Sequence, residues 1–250
     1  MTRPIMGALI ITAALAACGQ GAKPAVSHPA EGHKVISVSL ASSNVYFIET
    51  DRGYLMVDTG MAARESAVEE LFSSAGLKPS EVAMIIVTHV HPDHVAGLHS
   101  AKKLTGAKVL CHRSAARYVE SGESEPIVAH SALGAVIAAI TPKRFRGVVP
   151  DILVENEFEL NDYGLAGTIM HTPGHTAGSI SIVLSTGETL VGDQVRGGNA
   201  ELSLGQFYED KDELLRNLES VTSSEPRVIY MSHGTQTGIQ NLAGFVEEQK

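Results

Sequence analysis

Thr88-His89-Val90-His91-Pro92-Asp93-His94 sets three histidines and one aspartate within a few residues of each other, directly behind the apolar run 83–87. Imidazole nitrogens and carboxylate oxygens are the donors that suit zinc and similar divalent cations. Side chains two apart on an extended chain point the same way, so His89 and His91 can reach one ion from the end of a strand. Asp93 and His94 then fall on the turn into a helix and can reach a second ion. Two histidines four apart would be weak evidence. His-x-His-x-Asp-His is strong evidence for a metal site.

The elements that must position these residues can be read from periodicity. Strands are expected over 35–40, 44–49, 54–58, 82–87 and 108–111, with turn residues between the first three. A helix is expected over 62–75, where Ala67, Val68, Leu71 and Phe72 recur at helical spacing and Gly76 stops the pattern. Further helices are expected over 94–104, 114–120, 210–221 and 239–248. Further strands are expected over 158–160, 165–170, 179–184, 189–191 and 228–231. Strands and helices mixed in two sets favour a layered α/β fold.

The segment 126–140 is apolar nearly all round and is followed by Lys143, Arg144 and Arg146. It is too short to span a bilayer. The favoured reading is an inserted, buried helix. The alternative is a lid or pocket wall that rests on a membrane through its basic flank. His28, His33, His99, His112 and His130 fit surface or packing roles, and His171 falls inside or at the end of a strand.

Four further motifs follow in order: Thr172-Pro173-Gly174-His175-Thr176, Leu190-Val191-Gly192-Asp193, Ile229-Tyr230-Met231-Ser232-His233-Gly234 and, upstream, Tyr54-Leu55-Met56-Val57-Asp58-Thr59-Gly60 behind Asn44-Val45-Tyr46-Phe47-Ile48. With the His-x-His-x-Asp-His stretch, this chain resembles the metallo-β-lactamase superfamily from about residue 35 onward. The resemblance implies a four-layer αββα sandwich with metals at one edge. It implies that one metal takes His89, His91 and His175. The other takes Asp93, His94 and His233, and Asp193 bridges the two. Asp58 is expected beneath the site, as an acceptor that orients one histidine.

Two divalent metals about 3.5–4 Å apart share a water and lower its pKa toward 7. The expected activity is hydrolysis of an ester, thioester, lactone, β-lactam or phosphoester bond, with Asp93 orienting the hydroxide and passing a proton. Zinc is the first expectation, with manganese or iron as alternatives, because no cysteine is in the ligand set. The partner is a small-molecule substrate, which Tyr208 or Arg196 could contact. Bridging Asp193 lowers the expectation of a β-lactamase. Gln194, Val195 and Arg196 stand where lactonases of the family often carry a tyrosine. Two other classes compete. One is a mononuclear iron oxidoreductase like the persulfide dioxygenases, although Gly197-Gly198-Asn199 stands where they show Arg-Thr-Asp. The other is a lipid-anchored binding protein without catalysis, disfavoured because buried unpaired carboxylates and imidazoles are costly.

The 250 residues carry a net charge of −9, which disfavours nonspecific nucleic-acid binding. The hydrophobic share of 44% supports a sizeable core built from Val, Ile, Leu and Ala, since tryptophan is absent. Residues 1–17 read as a signal peptide, with Arg3 ahead of an apolar stretch. Leu15-Ala16-Ala17-Cys18 resembles the bacterial lipobox, which makes Cys18 the expected lipidation site and the cell envelope the expected location. Residues 18–34 read as a tether rich in Gly, Ala, Pro and Ser, and 35–250 as the catalytic domain. Cys111, the other cysteine, is expected to be an inert core thiol.

Overall fold

Two sheets face each other, and helices cover their outer sides. The computed structural model describes residues 23–27, 32–40, 43–198 and 201–250. The first sheet has seven strands in chain order: β1 (Lys23–Ser27), β2 (Val35–Leu40), β3 (Ser43–Thr50), β4 (Gly53–Val57), β5 (Val82–Ile86), β6 (Lys108–His112) and β7 (Ile152–Val154). The strands β1 to β4 pair antiparallel, and β4 to β7 pair parallel. Parallel neighbours need crossovers. These carry α1 (Glu65–Ala75), then α2 (Pro92–Val95) and α3 (Leu98–Thr105), then α4 (Ala116–Ser121) and α5 (Ala132–Ile140).

The second sheet contains β8 (Glu157–Glu159), β9 (Gly167–His171), β10 (Ile180–Leu184), β11 (Glu188–Leu190) and β14 (Val228–Tyr230), in the order β14-β11-β10-β9-β8. A ribbon of β12 (Arg196–Gly197) and β13 (Leu202–Ser203) precedes α6 (Lys211–Ser223), and α7 (Ile239–Glu248) closes the chain.

Alternation along each strand sorts side chains into separate cores. Tyr46, Ile48, Leu55, Val57, Met84 and Ile86 meet Ile169, Ile180, Ile182 and Leu190 between the sheets. Val45, Phe47, Met56 and Ile85 turn the other way and meet Val68, Leu71, Phe72 and Leu98 of the helices. Behind the second sheet, Leu214, Leu218 and Val221 of α6 pack on Leu242, Phe245 and Val246 of α7. Strands covered on both faces are apolar throughout, which is why 82–87 reads as an unbroken hydrophobic run. The result is the four-layer αββα sandwich expected from the sequence.

Three expectations need correction. Lys23–Ser27, placed in the tether, pairs with β2 as an edge strand, where Pro24 is tolerated because an edge leaves one row of N–H groups unused. The helix expected over 94–104 is split at Ala96-Gly97, where the chain passes so close to the Thr59 carbonyl that a Cβ on Gly97 would lie 2.9 Å from its oxygen. The segment 126–140 is not a buried helix. Its first residues are extended, and in α5 only Gly134 is buried. His112 takes the packing role of the two expected for it: it is buried, with its ring nitrogens bonded to Ser114 Oγ and the Glu155 carbonyl. Cys111 is fully buried and free, and burial pushes its thiol up to about 12, in keeping with an inert role. The signal peptide, Cys18 and His28 lie outside the described residues. No helix among the described residues is long and apolar enough to cross a membrane.

Candidate metal centre

The loops that leave the ends of β5, β9, β11 and β14 converge at one edge of the sandwich. They bring His89, His91, Asp93, His94, His175, Asp193 and His233 together. Three overlapping groups have donor atoms within 4.8 Å of one another: His89, His91 and His175; His89, His94 and Asp193; and Asp93, His94 and His233. Asp193 sits between the sets. Its Oδ2 is 3.8 Å from His175 Nε2 and 3.0 Å from His233 Nε2, and its Oδ1 is 3.4 Å from His94 Nε2.

The outward nitrogen of each ring fixes which nitrogen faces inward. Carbonyl and carboxylate oxygens only accept, so the ring nitrogen opposite each must donate. His91 Nε2 donates to the Pro126 carbonyl at 3.2 Å, His175 Nδ1 to the Phe207 carbonyl at 2.9 Å, and His94 Nδ1 to Asp58 Oδ2 at 2.8 Å. Thr88 Oγ1 donates to Asp58 Oδ2, so it accepts from His89 Nδ1 at 3.1 Å. The inward nitrogens His91 Nδ1 and His175 Nε2 then face each other at 3.1 Å, both with lone pairs. His89 Nε2, His94 Nε2 and Asp193 Oδ1 are buried without a hydrogen-bond partner. Buried polar atoms are nearly always satisfied. His89 Nε2, His91 Nδ1 and His175 Nε2 are acceptors turned toward a common point, and such acceptors repel one another unless a cation lies there, so these residues fit a metal.

Charge sorts the same side chains into two sets. Burial pushes His91 down to about 3 and holds His89 well below its usual range, and it lowers His175 as well. These three are neutral, the form that ligates. Burial also works against the protonated forms of His94 and His233, but the surrounding carboxylates together outweigh it, Asp193 and Asp93 on both and Asp58 on His94, lifting His233 to about 10 and His94 well above its usual range. Burial would raise Asp93, yet His94 and His233 bring it down to about 2, and they hold Asp193 well below the carboxylate range.

Asp58 is the centrepiece of the support beneath the site. It accepts from Thr88 N at 2.8 Å, Thr88 Oγ1 at 2.7 Å and His94 Nδ1, from a left-handed backbone with φ of 59°. Aspartate is among the few residues that tolerate that region. Two further supports were not singled out in the sequence. Asn44 Nδ2 donates to the carbonyls of Met231 and Gly234 and so holds the loop that carries His233. Glu125 is buried and accepts from Val90 N at 2.7 Å and Gly178 N at 3.0 Å, which ties the His89–His94 loop to the His175 loop. Burial pushes its carboxyl up to about 7. Its partners lie 35 and 53 positions away, so no local pattern marks it.

A cavity of about 590 Å³ opens over the cluster. His91, Asp93, Asp193 and His233 line it, with Met61, Ile127, Ile137 and Phe207 as apolar wall and Arg196 as its basic residue. Tyr208 lies outside this lining; its ring stacks on His130.

Comparison with known families decides the fold family. The profile of the Metallo-beta-lactamase superfamily matches residues 38–233. The chain belongs to the metallo-β-lactamase superfamily. Among curated relatives, a probable metallo-hydrolase of Methanocaldococcus jannaschii is 29% identical over 77% of this chain and 88% of its own length. A beta-lactamase-like protein 2 homolog of Drosophila melanogaster is 22% identical, and the match covers 79% of this chain but only 60% of that protein. A human acyl-coenzyme A thioesterase is 27% identical over 56% of this chain and 53% of its own length. Among solved structures, a metallo-β-lactamase of Novosphingobium pentaromativorans superposes with a TM-score of 0.62 at 19% identity, covering 95% of this chain and 92% of that one. An archaeal superfamily protein of Sulfolobus tokodaii gives 0.58 at 17% identity, covering 92% and 86%. At these identities the superpositions speak for the fold alone. Superfamily membership and the convergent donors make this a metal-dependent hydrolase scaffold.

Proposed function

We propose that the protein is a dinuclear hydrolase of a small acyl compound that carries an anionic group. His89, His91 and His175 would hold one divalent cation. Asp93, His94 and His233 would hold the other, and Asp193 would lie between them. The observation that carries this reading is the inward turn of buried, unpartnered nitrogens beside two carboxylates. Cations bound there, zinc first, would supply Lewis acidity that lowers the pKa of water toward 7 and polarises the scissile carbonyl oxygen.

The chain's own groups do the rest. The Asp93 side chain is 26% exposed at the cavity floor, where its carboxylate accepts the proton shed by the attacking water. His233 Nε2 lies 3.2 Å from Asp93 Oδ2, so the two donors already converge on the position the second cation would take. Among the described residues, no serine or cysteine lines the cavity. Ile127, Ile137 and Phe207 exclude water from one wall and suit an acyl chain. Arg196 has no ion-pair partner among the described residues, in a chain of net charge −9, and is placed to take a carboxylate or phosphate of the substrate. Thioesters are the first class to assay because one relative is a thioesterase. Anchoring to the cell envelope through Cys18 belongs to the same proposal.

The test is a panel of esters, thioesters, lactones, β-lactams and phosphodiesters, assayed before and after prolonged chelation. Turnover of at least one of the acyl compounds should disappear on chelation and return with zinc, whereas turnover of the phosphodiesters alone would contradict the acyl reading. Turnover that is indifferent to chelation, or no turnover anywhere in the panel, would oppose the proposal.

A further inference from the structure

α5 is built inside out. Soluble helices turn their large aliphatic side chains inward. In α5 the inward positions are Gly134, Ala138 and the cavity-lining Ile137, while Leu133, Val136 and Ile140 stand 63%, 59% and 73% exposed. Their spacing of three and four puts them on one stripe. The seat of the helix is firm. The extended residues before it pair with 206–208, through Tyr208 N to the Val128 carbonyl at 3.2 Å and His130 N to the Gln206 carbonyl at 2.9 Å. Ser131 Oγ also caps the helix by accepting from Gly134 N. The stripe is therefore held outward by backbone pairing.

The surrounding charge is reversed from that of the molecule. Residues 126–150 contain no aspartate or glutamate, although the whole chain has 28. They hold Lys143, Arg144 and Arg146, all exposed. Arg144 pairs with Glu123, Lys143 Nζ donates to the Ala138 carbonyl, and Arg146 has no partner among the described residues. Of the seven large hydrophobic residues exposed among the described residues, Val128, Leu133, Val136, Ile140 and Val149 fall in this stretch. An aliphatic face edged by cations, with no anion of its own, is complementary to a bilayer whose headgroups are anionic. A second copy would offer acidic surface to the same cations but little apolar surface to the stripe, since only Met61 and Leu153 are exposed large hydrophobics outside this stretch among the described residues.

We propose that the Leu133-Val136-Ile140 face of α5 docks into the interfacial layer of an anionic lipid bilayer, with Lys143 and Arg146 on the headgroups. Docked so, the cavity wall at Ile137 lies beside the lipid, and the mouth of the cavity opens at the membrane surface.

Hydrogen exchange of the full chain, with and without vesicles of phosphatidylglycerol and phosphatidylcholine, tests this. Amides of 131–141 should exchange severalfold more slowly with vesicles. The slowing should weaken when salt is raised to about 1 M, where the Debye length is about 3 Å. It should vanish in Leu133→Asp/Val136→Asp, with turnover of a water-soluble substrate unchanged. Because the readout is local, capture of the chain by its N-terminus alone would leave α5 unchanged and overturn the proposal. Slowing that needs no vesicles and grows with protein concentration would overturn it in favour of a second copy on this face.

Discussion

At the scale of single residues, Asp58 shows how a buried carboxylate with no place in the cavity can govern the site. It fixes Thr88 and the His94 tautomer together. Asp58→Asn puts an amide donor against one of those donors, and loss of such support typically weakens metal binding 10–100-fold. Chelator competition should read that loss, and unchanged zinc affinity would contradict the role. The pH dependence follows from the same cluster. Asp93, down at about 2, stabilises the metal-free fold above its ordinary value of 3.8, and that contribution is lost as pH falls through about 2. His233, up at about 10, stabilises it below 6.5, and that contribution is lost as pH rises through about 10. Zinc needs His233 without its proton. The stabilisation gained on adding zinc should therefore grow from about pH 6 to pH 9, measured as the shift in urea midpoint. A gain independent of pH would show that these groups do not bind the ion.

At the scale of elements, the site is a meeting of loops, and what clamps the loops matters as much as what they carry. Glu125→Ala leaves the buried Val90 amide without its acceptor, at a cost of about 1–3 kcal/mol, and leaves the Gly178 amide only its longer bond to Thr176 Oγ1 at 3.3 Å. Denaturant unfolding should show that loss, and turnover should fall further than stability alone explains. A variant with wild-type stability and turnover would remove the clamp. This clamp was invisible in the sequence because its contacts are made to distant backbone. The His-x-His-x-Asp-His loop was legible because all its donors share one short stretch. β5 was legible because burial on both faces leaves an unbroken apolar run. β1 and β7 were not, being short edge strands with little side-chain pattern. The error over 126–140 has one cause: an all-apolar helix reads as buried, and nothing in its own residues says which way it faces.

At the scale of the whole molecule, the space between the sheets carries the fold and the surface of α5 does not. Leu55→Ala, in the fully buried inter-sheet core, should cost about 2–5 kcal/mol, whereas Val136→Ala should stay within about 0.5 kcal/mol. Equal losses at both positions, in urea unfolding, would mean that α5 is covered in solution. The four layers are rigid supports for an edge at which seven donors meet, and the central claim is that this edge holds two cations and works through them. The most direct measurement is a calorimetric titration of zinc into chelator-stripped protein, with hydrolysis followed in parallel. About two ions should bind per chain, with turnover rising as they do. Asp193→Ala, which removes the carboxylate between the two sets, should lose the second ion and most of the turnover. No zinc uptake, or turnover already complete in the stripped protein, would contradict the claim.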